Sequence, residues 1–198
     1  MPIRSSLPGV KGRLTTREVA VLSGASVPTV KKALQQQKLK ARKVKSGLVM
    51  EPRAVPAMAA FNGLGVRLSQ VAQRRVRDGL FAKSDGLPVQ IQLSEVLVLR
   101  VTDEIRASYQ RAIEYVDARD RYLEHRADIL GGTPVIKGTR LSVYALAARV
   151  DGGESLSDIE TDYPDVSTAA IRGAIDYARA HPPVGRPRKP WRSASASA

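Results

Sequence analysis

The chain has 198 residues, 43% of them hydrophobic, with no cysteine and a net charge of +13 from 32 Lys and Arg against 19 Asp and Glu. That apolar content excludes wholesale disorder, and the length suits one or two small domains. Without cysteine there is no disulfide framework or thiolate metal site. No apolar run follows the first charges or nears the ~18 residues of a membrane helix, so the expectation is a soluble, cytoplasmic protein.

The charge is unevenly spread. Residues 1–83 hold 17 basic and 3 acidic side chains, residues 84–180 hold 11 and 16, and the last eighteen add four basic groups and no acid. A polyanion-seeking first half is implied, nucleic acid foremost.

Residues 1–13, with two Pro and two Gly among basic residues, read as a flexible arm. Residues 14–83 follow as the first structured unit. Thr15 or Thr16 can cap a helix with Val19, Ala20 and Leu22 on one face, broken by Ser23 and Gly24. Ser26 caps a second, with Pro28 in its first turn, where a missing N–H costs nothing, and with Val27, Val30, Ala33 and Leu34 as its apolar stripe. Two short helices joined by a Gly-containing turn form a helix-turn-helix candidate. Leu39 to Met50 alternates around Lys45-Ser46-Gly47, a two-stranded wing. Pro52 opens a helix towards Phe61, and after the stop at Asn62 to Gly65 another runs from Leu68 to Leu80 with Arg74, Arg75 and Arg77 exposed.

Residues 84–126 read as a strand and helix linker. After the turn Ser84-Asp85-Gly86, Val89, Ile91 and Leu93 alternate with Gln90 and Gln92, and Glu95 to Val101 is rich in Val and Leu. Thr102 caps a long amphipathic helix with Ile105, Tyr109, Ala112, Ile113 and Val116 on one side, suited to joining the halves and to pairing with a second copy. Residues 127–182 open with GGTPVIKGTRLSV at Gly131 to Val143. Ser142 starts a helix to about Val150, Ser155 or Ser157 a short one ending before Pro164, and Ser167 a last one through about Ala180 with Ala170, Ile171, Ala174 and Ile175 buried. Residues 183–198 form a basic flexible tail. The fold class is mainly α with small β elements: a winged helix-turn-helix and a three-helix unit, joined by short strands and a long helix.

A recognition helix needs one buried face and an outward face that enters the major groove. Thr29, Lys31, Lys32 and Gln35 lie outside the apolar stripe, and Arg42, Lys43 and Lys45 on the wing suit phosphate or minor-groove contact. The competing reading is a helical hairpin with a merely solvated basic face. The run LTTREVAVLSGASVPTVKKAL resembles the winged helix-turn-helix of MerR-like and excisionase-like proteins over about residues 13–61, which implies double-stranded DNA as ligand.

The glycine-rich segment is not a Walker loop: Lys137 precedes Gly138, and Thr139-Arg140 follow where Lys and Ser or Thr belong. Glycines at positive φ in a tight turn explain it better, with Arg140 clamping a carboxylate or a loop carbonyl. His125 and His181 lack any nucleophile or ligand partner nearby in sequence, so the expectation is a non-enzyme without cofactor or metal.

The same region, with Gly131, Gly132, Pro134, Ile136, Gly138, Thr139, Arg140, Val143, Tyr163, Pro164, Tyr177 and Ala178, resembles a bacterial family carrying the pattern GG-x-P-x-I-x-GTR-x-x-V, long called a domain of unknown function and similar to VapB-type antitoxins. That resemblance implies a small helix-turn-helix-like unit that tends to pair, beside a PIN-like ribonuclease toxin as partner. Its last helix offers Arg172 and Arg179 but also Asp176, and carboxylates crowd the stretch before it, so a dimerisation or scaffold role fits better than DNA binding. In the tail, Arg186, Arg188, Lys189, Trp191 and Arg192 either remain solvated or bind the toxin, with guanidinium groups on its metal-binding carboxylates and Trp191 as anchor. Gly185-Arg186-Pro187 resembles an AT-hook core, although Val184 stands where a basic residue is usual. The expected function is a dimeric antitoxin that neutralises a ribonuclease and represses its own operator. The alternative is a stand-alone regulator or phage-type architectural protein without a toxin.

Overall fold

The computed structural model describes residues 11–64, 68–82 and 86–183. The chain is mainly helical, with three small antiparallel sheets among the described residues. No described helix is long and apolar enough to cross a membrane.

Local signals set the first elements. A short strand β1 (Leu14–Thr15) leads into α1 (Thr16–Ser23), where Thr15 and Glu18 form a reciprocal capping box. Gly24, at φ 66°, ends α1 in the left-handed conformation that lets the chain turn. Ser26 caps α2 (Val27–Gln35), with Val30 and Ala33 buried. Next come β2 (Ala41–Val44) and β3 (Gly47–Met50), paired so that Val44 faces Gly47 across the two-residue turn Lys45-Ser46. The expected two-stranded hairpin is therefore present, and β1 adds a third strand on the far side of β3, in the order β1-β3-β2.

The expected helix at Pro52 begins at Ala54 and runs to Gly63 as α3, and Ser69 caps α4 (Gln70–Leu80). Of the three arginines expected to be exposed on α4, only Arg74 is free of protein partners among the described residues. Arg75 donates to the Leu93 carbonyl at 2.9 Å, and Arg77 to that of Gln37 at 2.9 Å and to Asp78. These side chains satisfy loop carbonyls that have no ladder partner.

A hairpin follows, β4 (Gln90–Gln92) and β5 (Val98–Arg100), with Ile91 and Leu93 buried as the alternation predicts. Val89, of the same parity, is exposed. Thr102 caps α5 (Asp103–Tyr122), and Ile113, assigned to its apolar face, is 39% exposed. Tyr115, Ala118 and Arg119 are buried instead, because α5 meets neighbours on more than one side.

Far from being a linker, α5 lies in the centre. It packs against α3, α1 and the last helix, α8 (Thr168–Ala180), which also packs on α1 and on α6 (Val143–Asp151). One cluster of buried side chains runs from Leu14 to Ala178. Between α5 and α8 come β6 (Leu123–Glu124), a 3-10 turn at Leu130–Gly132, β7 (Val135–Ile136), α6 and α7 (Leu156–Asp162), with Ser155 rather than Ser157 capping α7.

α8 comes close to α5 at Gly173, where an added Cβ would lie 2.8 Å from the Cβ of Ala118. Gly173→Val should therefore push α8 off α5 and destabilise the protein by about 1–3 kcal/mol. A urea midpoint equal to that of the wild type would refute this.

A candidate nucleic-acid interface

The Ser26 side chain accepts the Thr29 N–H, which fixes the first turn of α2 and turns Val30 and Ala33 inward. Thr29, Lys31, Lys32 and Gln35 are all exposed on the remaining face. Thr29 is less available than its exposure suggests, since its hydroxyl lies 2.8 Å from the Ser26 hydroxyl, inside the cap. On the hairpin, Arg42, Lys43 and Lys45 are exposed too. The structure thus presents all seven residues singled out from the sequence at the surface.

Most basic groups nearby are already committed. Arg53 is buried and donates to the carbonyls of Leu80 and Gly86, at 2.8 and 2.9 Å. Arg13 pairs with Glu51, and Lys40 with Asp78, whose carboxyl Arg77 and Lys40 together hold below its ordinary range. By contrast, the side chains of Lys31, Lys32, Arg42, Lys43 and Lys45 have no ion pair or hydrogen bond among the described residues. Their charge is not neutralised by a protein carboxylate.

An open groove of about 800 Å³ lies alongside α2, between it and the α3 and α4 segments. Thr29, Lys32 and Gln35 form one wall, and Gln70, Gln73 and Arg74 come from α4. Lys38 also lines it, with its ammonium 5.4 Å from the centre of the Phe61 ring. No carboxylate is among the described residues that line it. The sequence marks Arg74 as exposed but gives no sign that α4 returns to the side of α2, because that juxtaposition depends on how α3 packs.

The second motif is built for structure. Gly131, Gly132 and Gly138 sit at φ 61°, 84° and 77°, as a tight-turn reading requires. Pro134 is buried, and the Thr139 hydroxyl donates to the Ile136 carbonyl and accepts the Leu141 N–H. The expected clamp by Arg140 is not seen: its side chain is exposed and makes no hydrogen bond or ion pair among the described residues. Lys137 makes the contact instead, donating to the Asp120 and Arg121 carbonyls at 3.0 and 2.6 Å and so capping the end of α5. Tyr163 ends α7 under the Arg149 guanidinium, with Pro164 next in the chain.

The crowded carboxylates before α8 are partly spent internally. Glu154 and Asp162 both pair with Arg149, Asp151 pairs with Arg179, and Asp158 completes the cap of α7. α8 buries residues on every side, Ala170, Ile171, Gly173, Ala174, Ile175, Tyr177, Ala178 and Ala180 among them, so it is a core helix. Arg172, Asp176 and Arg179 line a mostly apolar groove of about 430 Å³ beside α5, and burial raises the Asp176 carboxyl despite Arg179 and Arg111. His181 stacks on Tyr177 with ring centres 4.2 Å apart, and its burial lowers its pKa. Among the described residues no group of three or more His, Cys, Asp or Glu could hold a metal ion. The tail residues Arg186, Arg188, Lys189, Trp191 and Arg192 lie outside the described residues.

A family model described as a protein of unknown function (DUF433) matches residues 124–178, the segment from β6 to α8. Over 198 residues the chain is 29% identical to the uncharacterized protein y4eO of Sinorhizobium fredii, covering 94% of this chain and 89% of the relative. A crystal structure of Rv2018 from Mycobacterium tuberculosis is similar at a TM-score of 0.36 and 16% identity, covering 85% of this chain and 98% of that one.

Proposed function

We propose that this chain is a DNA-binding antitoxin, which represses its own operator and neutralises a PIN-like ribonuclease. In this reading α1, the Gly24 turn and α2 form a helix-turn-helix with α2 as recognition helix, and β2 and β3 are its wing. One observation carries the DNA half: the side chains of Lys31, Lys32, Arg42, Lys43 and Lys45 stand exposed and, among the described residues, unpaired on α2 and the hairpin, while neighbouring arginines are consumed by carbonyls and carboxylates. Free cations on a narrow helix and a protruding hairpin suit a major groove and its flanking phosphates.

The toxin half rests on the GG-x-P-x-I-x-GTR-x-x-V resemblance and on the basic tail. There Arg186, Arg188, Lys189 and Arg192 would meet the toxin's carboxylates, with Trp191 as an apolar anchor. The same DNA face would serve a regulator without a toxin, and co-expression separates the two. An antitoxin restores growth against the nuclease encoded beside it, and a chain ending at residue 183 does not.

The DNA half predicts a steep salt dependence. If a dimer neutralises ~6 phosphates, log affinity falls by roughly five units per tenfold rise in salt. A mobility-shift titration on the DNA upstream of the gene measures the slope, and a value near zero would sink the assignment.

A further inference from the structure

We propose that the free edge of β5 pairs antiparallel with β5 of a second copy of this chain, about a two-fold axis at Val98, to build a four-stranded sheet. This deepens the operator reading, which calls for a two-fold dimer, but it stands on a separate observation.

The register of the hairpin decides which backbone groups are free. Gln90 faces Arg100, Ile91 faces Leu99 and Gln92 faces Val98. Leu93 N–H donates to the Leu97 carbonyl and Val101 N–H to the Val89 carbonyl, so residues 97, 99 and 101 turn their backbone groups towards the β4 side, where the Ser94 hydroxyl takes the Leu97 N–H. In an antiparallel ladder the alternate residues turn theirs outward. On β5 those are Val98 and Arg100, and the other described strands pair elsewhere.

The side chains beside this edge are of the kind that natural edge strands avoid. Val96 is 95% exposed, Val98 is 42% exposed, and Leu97 and Val89 are exposed as well. The run Val96 to Leu99 contains neither proline nor lysine, and such an edge is a template for another strand. A single two-stranded ribbon is also a marginal structure that gains from further strands.

Charge selects a second copy as the occupant. Two copies of a +13 chain repel through their net charge, but residues 86–101 carry only Glu95 and Arg100 and are neutral. An antiparallel pair centred on Val98 is self-complementary. It sets Val98 against its own copy, sets Val96 against Arg100 of the second copy, and lets the outward N–H and carbonyl groups bond reciprocally. Covering the valines removes apolar surface from water in the same step.

Sedimentation of the full chain, alone and at several concentrations, tests this with two variants. Val98→Lys places like charges face to face at the axis, and should raise the dimer dissociation constant at least tenfold while thermal unfolding of the separated chains is unchanged. Val98→Cys introduces the chain's single thiol at a point where paired Cα atoms would stand ~5.5 Å apart, within disulfide range. Mild oxidation should give a covalent dimer, and Val71→Cys on α4 should not. A wild type that stays monomeric, or a dimer that tolerates Val98→Lys and forms no Val98→Cys crosslink, overturns the pairing. A monomer that still binds DNA with a steep salt slope refutes the pairing and leaves the DNA reading standing. A Val98-dependent dimer without DNA affinity does the reverse.

Discussion

Replacing Arg119 by methionine should destabilise the protein by about 3–5 kcal/mol, because it strands an ionised Glu18 in the core. Arg119 is 2% exposed and Glu18 1%. Arg119 Nη1 donates to Glu18 Oε1 at 2.8 Å and to the Arg13 carbonyl at 2.8 Å, and the Tyr115 hydroxyl donates to the same Glu18 oxygen at 2.7 Å. The other Glu18 oxygen accepts the Thr15 N–H and so completes the cap of α1. One carboxylate thus ties the start of the proposed DNA-binding half to α5. Arg119 Nε donates to Asp120 Oδ1 at 2.9 Å, and Nη2 lies 2.8 Å from the same oxygen, so a second carboxylate flanks the buried guanidinium.

The loss should be recoverable. The double variant Glu18→Leu with Arg119→Met replaces the ion pair by apolar contacts, a trade that is often neutral or stabilising. Urea unfolding at neutral pH compares the three proteins, and a double variant no more stable than Arg119→Met would overturn the stranded-charge explanation. The pH dependence carries a sign. Burial pushes the Glu18 carboxyl up, but Arg119, the Thr15 N–H and Tyr115 outweigh it and hold the group below its ordinary 4.5. A depressed native pKa gives stability that is complete above 4.5 and fades as the pH falls towards the native value. In Arg119→Met the attraction of Arg119 is lost while burial and the Thr15 and Tyr115 hydrogen bonds remain, so the Glu18 carboxyl moves up and the penalty of that variant should shrink on acidification.

This pair also marks where sequence stops being informative. Caps and turns were legible because their partners sit within three residues, as with Thr15 and Glu18, Ser26 and Thr29, and Ser69 and Ala72. The α2 face was legible because a 3.6-residue period separates Val30 and Ala33 from Lys31, Lys32 and Gln35. Arg119 is flanked by Asp117, Asp120 and Arg121 and reads as solvated, while its partner lies 101 residues earlier. Ile113 was misassigned for the converse reason: the helical period puts it near the apolar side of α5, and only packing against α1, α3 and α8 fixes which flank is covered. Arg75 and Arg77 were missed as anchors because the carbonyls they serve belong to distant loops.

Reversing charge on α2 should weaken operator DNA binding far more than the same change of net charge elsewhere. Lys31→Glu with Lys32→Glu lowers the net charge from +13 to +9, and so does Arg140→Glu with Arg172→Glu. If binding followed total charge, the two double variants would lose affinity alike. A contact face at α2 predicts instead a loss of roughly 100-fold or more for the first pair, with the salt slope reduced by about one unit for each phosphate contact removed. The second pair, both exposed in the later part of the chain, should stay near wild type. Gln35→Ala should separate reading from holding. An uncharged side chain adds nothing to counterion release, so the salt slope should persist, while discrimination at one base pair falls by about 1–3 kcal/mol. Equal losses from the two charge-reversed proteins would remove α2 from the interface, and an unchanged base preference in Gln35→Ala would remove Gln35 from the readout.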